Sequence, residues 1–254
     1  MTKSHSRPFL LVTALRSFAA YLAVTIYVLV AGPPFLCWAV VSHRRRGMYR
    51  AGEMGIRLAL WLAGVRLDVR GREHIQLGRG AVYAVNHSSN LEPPILFVAL
   101  GALFPRLRIL YKAELRRLPV LVWVFDAAGF VPIERGNPDQ SRPAVDRAVD
   151  ALCAGDSFLI FPEGTRSRTG ELLPFKKGGF VMALKAGAPV VPVAITGARD
   201  AMRKGSPLIH PVTVRVQFSA LIPTDCVGFA DRDALVADVR ARIAGMLSAG
   251  QSPS

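Results

Sequence analysis

Short apolar or alternating runs recur along the chain at 65–69, 81–85, 107–111, 129–133, 157–161, 190–196 and 212–219. Each has strand length and most are bounded by Gly, Pro or polar residues, which predicts seven strands. Helical spacing fills most of the intervals. In 141–154 Val145, Ala148, Val149 and Leu152 share one face, 178–186 reads as a helix, and 231–247 is amphipathic. Strands alternating with helices predict an α/β fold, a mostly parallel central sheet flanked by helices. Val212, Val214, Val216 and Phe218 alternate with Thr213, Arg215, Gln217 and Ser219, the pattern of a half-exposed edge strand. Pro192 within 190–196 points to an edge or a bend beside a site, because proline cannot donate to a ladder.

The first quarter of the chain has a different texture. From Ser17 to Ser42 no residue is charged, a run of 26, longer than the ~20 residues a helix needs to cross a bilayer. Gly32-Pro33-Pro34 interrupts it, so a bent, half-inserted hairpin with both ends on one face fits at least as well as a span. The following stretch, 48–65, mixes Arg50, Glu53 and Arg57 with Met54, Ile56, Leu58, Leu60, Trp61 and Leu62, an amphipathic helix suited to a lipid interface. These features divide the chain into N-terminal membrane-anchoring helices (1–64) and one globular domain (65–254).

Charge sharpens this picture. The formal net charge is +14, which calls for an anionic partner, either nucleic acid or a phospholipid surface. Residues 1–50 contain seven Lys and Arg (Lys3, Arg7, Arg16, Arg44, Arg45, Arg46, Arg50) and no acid, so half of the excess flanks the apolar run, as at a membrane. Aromatics interleaved with basic residues, or a recognition-helix motif, would mark a nucleic-acid binder; neither is evident. The three cysteines, Cys37, Cys153 and Cys226, are widely spaced and form no Cys-x-x-Cys pair. They indicate neither a disulfide framework nor a metal site, and they suit a reducing compartment.

Candidate chemistry gathers where predicted strands end. His87 and Glu92 lie in Asn86-His87-Ser88-Ser89-Asn90-Leu91-Glu92-Pro93-Pro94. On a continuous helix they would be offset by roughly 140°, but a turn between strand and helix folds them together. Ser88, Ser89 and Asn90 favour a turn or N-cap, and Pro93 and Pro94 suit the first helical positions. The carboxylate can then hold one ring nitrogen and leave the other to accept a proton, the arrangement of a general base. Taken alone, such a histidine is more often structural. In 129–136 Arg135 follows an apolar run, where it could clamp a phosphate or simply pair with Glu134. In Phe161-Pro162-Glu163-Gly164-Thr165-Arg166-Ser167-Arg168, backbone N–H groups near Gly164, the Thr165 hydroxyl and Arg166 could cradle an anion, with Glu163 orienting the cations or a substrate hydroxyl. A loop of solvated charge is the alternative.

In this order the segments resemble the glycerolipid acyltransferase family, most closely its 1-acylglycerol-3-phosphate branch, over roughly residues 60–220. A His-x4-Asp block preceded by Asn is matched by Asn86, His87 and Glu92. An apolar run ending in Arg is matched by 129–135, Phe-Pro-Glu-Gly-Thr-Arg-Ser without a gap by 161–167, and an apolar strand with proline around Pro192. Glu92 departs from the family's usual Asp by one methylene, although glutamate also occurs there in the related lipid A acyltransferases.

The resemblance implies direct acyl transfer. His87 would take the proton of the free hydroxyl of a lysophospholipid, which attacks a thioester of acyl-CoA or an acyl carrier protein, while Glu92 stabilises the imidazolium. It also implies that Lys112, Arg135, Glu163, Gly164, Thr165 and Arg166 hold the acceptor, with its phosphate met by the cations. No cofactor or metal is expected, no nucleic acid, and the location implied is the cytoplasmic face of the inner (plasma) membrane. The absence of a Gly-x-Ser-x-Gly elbow agrees with a mechanism lacking a covalent enzyme intermediate. Another acceptor (glycerol 3-phosphate, a different lysophospholipid, a lipid A precursor) and a non-catalytic basic binding module are the alternatives.

Overall fold

A computed structural model of the chain describes residues 7–42, 45–117, 122, 125–126, 128–133, 138–225, 228 and 231–250. Seven strands form a single sheet: β1 (Arg66–Arg70), β2 (Val82–Val85), β3 (Leu107–Lys112), β4 (Val131–Ile133), β5 (Ser157–Ile160), β6 (Val190–Thr196) and β7 (Thr213–Phe218). Their order is β1-β7-β6-β2-β5-β3-β4. Every neighbouring pair is parallel except β6 and β7. Around the sheet lie α1 (Arg7–Ser42), α2 (Arg45–Ala63), α3 (Glu92–Ala99), α4 (Pro138–Cys153), α5 (Gly178–Ala186), α6 (Ala198–Ala201) and α7 (Arg232–Ala249).

Strands β2 and β5 are buried at every position, as parallel strands covered on both faces must be. Their alternate residues serve two cores. Tyr83, Val85 and Leu159 join Ile95, Leu96 and Val193 on one side of the sheet, while Val82, Ala84, Phe158 and Ile160 meet Ala148, Phe180, Met182 and Val239 on the other. The hydrophobic effect thus fixes the register of the strands whose ends carry His87 and Phe161, since a slip of one residue would exchange the two faces.

Two strand expectations need correction. The alternation in 212–219 holds, with Val214, Val216 and Phe218 buried, but β7 is interior. Its flank is covered by β1, whose Asp68 accepts from Arg215 of β7 at 2.8 Å. Half-exposure here comes from polar side chains on one face and not from an open edge. Pro192 likewise sits in an interior strand, level with Ala84 of β2. On the β7 side the regular ladder starts only at Val193, and beyond a gap the two segments meet again where Val190 bridges Ile222. The missing N–H falls in that gap, where the proline carbonyl accepts from Ser219.

The N-terminal segment is also simpler than expected. Helix α1 continues through Gly32-Pro33-Pro34 for 36 residues, about 54 Å at 1.5 Å per residue. The two prolines forfeit only the bonds that Leu29 and Val30 carbonyls would accept. The return leg is α2, antiparallel beside it, with Tyr27 packed on Gly55 and donating to the Ala51 carbonyl at 2.9 Å. A narrow polar seam seats α1 on the domain. Ser17 Oγ accepts from Ile209 N–H at 2.8 Å, and Tyr21 donates to the Pro207 carbonyl at 2.8 Å. The rest of α1 exposes Leu11, Leu15, Phe18, Leu22, Ile26, Leu29 and Val30.

Candidate active site

Strand β2 ends at Val85, and the chain leaves the sheet through Asn86. The Asn86 amide bonds reciprocally with the main chain of β6, donating to Ile195 O at 3.0 Å and accepting from Ile195 N–H at 2.8 Å. The turn is thereby anchored to the sheet before His87 begins. Helix α3 starts at Glu92, with Leu91 as its N-cap, so neither serine nor Asn90 caps it. Glu92, in the first turn, folds back over the preceding turn and ties it together, without capping the helix. Its carboxylate accepts from Ser88 N–H at 2.8 Å, Ser88 Oγ at 2.7 Å and Ser89 N–H at 3.0 Å. Pro93 and Pro94 bring no donors to this helix start, where N–H groups would otherwise need partners.

The remaining bond of Glu92 is to the histidine. His87 Nδ1 lies 2.6 Å from Glu92 Oε2, and the carboxylate is completely buried. A fully desolvated carboxylate surrounded by donors is an orienting group that also balances positive charge on the ring. Phe161, just past β5, stacks on the imidazole with centroids 4.2 Å apart and planes 29° apart. With Nδ1 committed to Glu92, Nε2 is the ring nitrogen that can exchange a proton.

Glu163 has another place than the substrate side. Its Oε1 accepts from His87 N–H at 2.7 Å and its Oε2 from Leu173 N–H at 3.0 Å. Thus the acid expected to orient cations or a substrate hydroxyl is spent on two backbone donors. Burial pushes its carboxyl above the ordinary glutamate range, opposed by those two hydrogen bonds, with Glu92 nearby adding a smaller upward push. The loop is joined to His87 a second time, since Ser167 N–H donates to the His87 carbonyl at 2.8 Å.

The other expected site residues have different places. Gly164 turns the loop with φ of 68°, and its N–H donates to Phe161 O instead of facing an anion. A Cβ at this position would come 2.8 Å from Lys176 Cε. Thr165 is exposed at the loop tip, and Arg166 lines a cavity of about 550 Å³ with Ser167, Arg168, Arg199, Arg203, Lys204 and Gly205. Lys112 ends β3 opposite Ile133 of β4. Arg135 lies outside the described residues. Among the described residues no group of three or more His, Cys, Asp and Glu is arranged to hold a metal ion.

A family profile described as Acyltransferase matches residues 66–196. This chain belongs to the acyltransferase family. The match runs from β1 to the end of β6 and so contains His87, Glu92 and the loop of Arg166. Among curated relatives, the chain is 34% identical over 191 residues to the 1-acyl-sn-glycerol-3-phosphate acyltransferase of Limnanthes douglasii, covering 75% of the chain and 66% of the relative. It is 31% identical over 189 residues to the protein of the same name from Pseudomonas aeruginosa, covering 72% of the chain and 71% of the relative. The chain spans just under two thirds of the Limnanthes protein. Among solved structures, the crystal structure of the 1-acyl-sn-glycerophosphate (LPA) acyltransferase PlsC from Thermotoga maritima superimposes with a TM-score of 0.82. Identity is 25%, and 95% of this chain and 98% of that one are covered.

Sequence reasoning missed three supports of the His87–Glu92 pair. Ser88 and Ser89 read only as turn formers, whereas they are donors to Glu92, and Asn86 read only as part of a motif. The signal was present in each case: a polar side chain directly after a fully apolar strand is buried, and a buried amide or hydroxyl needs a partner.

Proposed function

We propose that this chain transfers a fatty acyl group from a thioester to the free sn-2 hydroxyl of 1-acyl-sn-glycerol 3-phosphate, giving phosphatidic acid. The observation that carries the reading is the 2.6 Å contact between His87 Nδ1 and the fully buried Glu92. Its setting beside a cation-lined cavity that includes Arg166 supports an acceptor bearing a phosphate. The relatives' names support the same reaction.

In this mechanism His87 Nε2 removes the hydroxyl proton as the oxygen attacks the thioester carbonyl, and Glu92 balances the charge left on the ring. The tetrahedral intermediate then collapses. Its carbon–sulfur bond breaks, and the departing thiolate recovers the proton from the imidazolium. No enzyme acyl intermediate arises. Arg166, with Lys112 and Arg135, holds the acceptor phosphate and lowers the entropic cost of aligning two substrates. The donor is acyl-CoA or an acyl carrier protein, and no cofactor takes part.

The reaction belongs at a membrane surface, on its cytoplasmic face. One helix, with the stretch Leu10–Phe35, is long and apolar enough to cross a bilayer, and its exposed face is predominantly apolar. The deciding experiment supplies purified, detergent-held protein with 1-acylglycerol 3-phosphate and labelled acyl-CoA or acyl carrier protein. Phosphatidic acid forms with the unaltered chain and is lost in His87→Ala; formation that survives this substitution would overturn the reading.

A further inference from the structure

The cavity that holds Arg166 carries more positive charge than one acceptor phosphate requires. Arg166, Arg168, Arg199, Arg203 and Lys204 line it, and no carboxylate does. Gathering like charges is unfavourable in itself, yet this cluster is held in place by its own side chains. Arg199 Nε donates to Arg168 O and Lys204 Nζ donates to Arg166 O, both at 3.1 Å. These tethers bind cations to main-chain carbonyls, which orients the charge without neutralising it. A concave surface of one sign concentrates anions.

We propose that Arg168, Arg199, Arg203 and Lys204 form a second phosphate site that takes the phosphorylated adenosine head of a coenzyme A thioester. The inference rests on the acyl-transfer reading above and deepens it by assigning the donor's polar end. Two constraints of chemistry separate this site from the acceptor's. In a lysophosphatidic acid the phosphate is only two carbons from the reacting hydroxyl, so its cation must stand close to His87, as Arg166 does next to Ser167. In coenzyme A the pantetheine arm separates the nucleotide phosphates from the thioester, so their cations need not be the one that meets the acceptor. Arg199, Arg203 and Lys204 come from α6 and the turn after it, apart in sequence from Arg166, and Arg168 extends the same cavity along the loop.

Shape favours a nucleotide over a carrier protein. About 550 Å³ of concave space is within the range of small-molecule sites, roughly 300–1,000 Å³, whereas an acidic protein helix would need an open basic face. The bisphosphate and the 3′-phosphate of the coenzyme bring several negative charges, which suits several unpaired cations. Lipid headgroups share the phosphate chemistry, and the segment 207–209 bonds to α1. They are therefore the competing source that the test must separate.

Binding of adenosine 3′,5′-bisphosphate to the full chain in neutral detergent is measured by calorimetry, beside steady-state kinetics of Arg203→Ala and Arg203→Lys. The exposed Arg203 side chain makes folding of both variants a simple control by circular dichroism. The unaltered chain binds the bisphosphate. Arg203→Ala weakens that binding and raises the KM for acyl-CoA by about tenfold, with kcat and the acceptor KM changed less than about twofold, and Arg203→Lys restores much of both. No binding of the bisphosphate, or a KM increase confined to lysophosphatidic acid, would overturn the site. So would reduced binding to phosphatidylglycerol vesicles with the acyl-CoA KM unchanged, which would assign the cations to lipid. A chain that acylates nothing would defeat the acyl-transfer reading, but the calorimetric result would still decide whether the bisphosphate is bound.

Discussion

Glu163 accepts a hydrogen bond from the backbone N–H of His87 at 2.7 Å, so an acid on one loop fixes the main chain of the imidazole on another. Its second oxygen fixes Leu173. Glu163→Gln keeps the shape but turns one of the two acceptors into a donor facing a buried N–H. Leaving such a group unsatisfied costs about 1–3 kcal/mol, and urea unfolding of the variant should register a loss of that size. Turnover should fall while the acceptor KM changes little, since this residue touches main chain and not substrate. A raised acceptor KM with unaltered stability would instead put the carboxylate on the ligand.

The same group makes a prediction about pH. Burial raises the folded-state pKa of Glu163 above its ordinary value of 4.5. For an acid raised in this way the folded state binds the proton more tightly than the unfolded state. The penalty of burying the charge is therefore present above the raised value and disappears as pH falls through it towards 4.5. The stability of the unaltered chain relative to Glu163→Gln should move in favour of the unaltered chain across that acid window. A difference that is constant with pH would contradict the shift.

The carboxylate of Glu92 faces four donors, of which Ser88 supplies two. Glu92→Gln must present its amide nitrogen to some of them and cannot balance an imidazolium. Turnover should drop by about 10²–10⁴-fold, the range for general-base assistance. Ser88→Ala removes only the hydroxyl and leaves both backbone donors. Its loss in stability should be about 1.5–3 kcal/mol, the range for a hydrogen bond to a charged group, with a fall in turnover smaller than that of Glu92→Gln. Equal losses in the two variants would show that the hydroxyl does more than brace Glu92.

Gly197 joins β6 to α6 with φ of 79°, and a Cβ there would come 2.4 Å from the Thr213 carbonyl oxygen. Gly197→Ala adds this backbone clash to a left-handed strain of about 1–2 kcal/mol. A destabilisation above about 2 kcal/mol in urea titration is expected. The full effect should also reach the site, because Asn86 is held by Ile195 two residues earlier.

Trp61 of α2 and Trp38 of α1 are 72% and 59% exposed, although indole is a costly group to leave in water. In vesicles containing brominated acyl chains their fluorescence should be quenched, with Trp61→Phe and Trp38→Phe, singly and together, separating their contributions from that of the third tryptophan, Trp123. Fluorescence insensitive to brominated lipid would remove these helices from the bilayer.

The positions of the central strands could be read from sequence because two-sided burial writes itself as short continuous apolar runs, as in 190–196 and β6, while β1 and β7 showed as alternating runs. The order of the strands could not. The alternation of 212–219 looks the same whether polar side chains face solvent beside an open edge or beside β1. Pro192 looked like a boundary because its effect depends on whether a neighbour needs its N–H. At the site, His87 and Glu92 were legible from their spacing around a turn, and their contact follows that reading. The destination of Glu163 was not, since an acid next to arginines has the same sequence whether it faces cations or backbone. Arg199, Arg203 and Lys204 were invisible as partners of Arg166, being brought beside it only by the path of β6.

Both peptide groups flanking the histidine are tied to a single loop, His87 N–H to Glu163 and His87 O to Ser167. One tie is a carboxylate and the other is main chain to main chain, so the backbone of His87 and the loop that carries Arg166 are held as one rigid corner. Loss of either bond would let the two segments drift apart while leaving the ring's own contact with Glu92 in place.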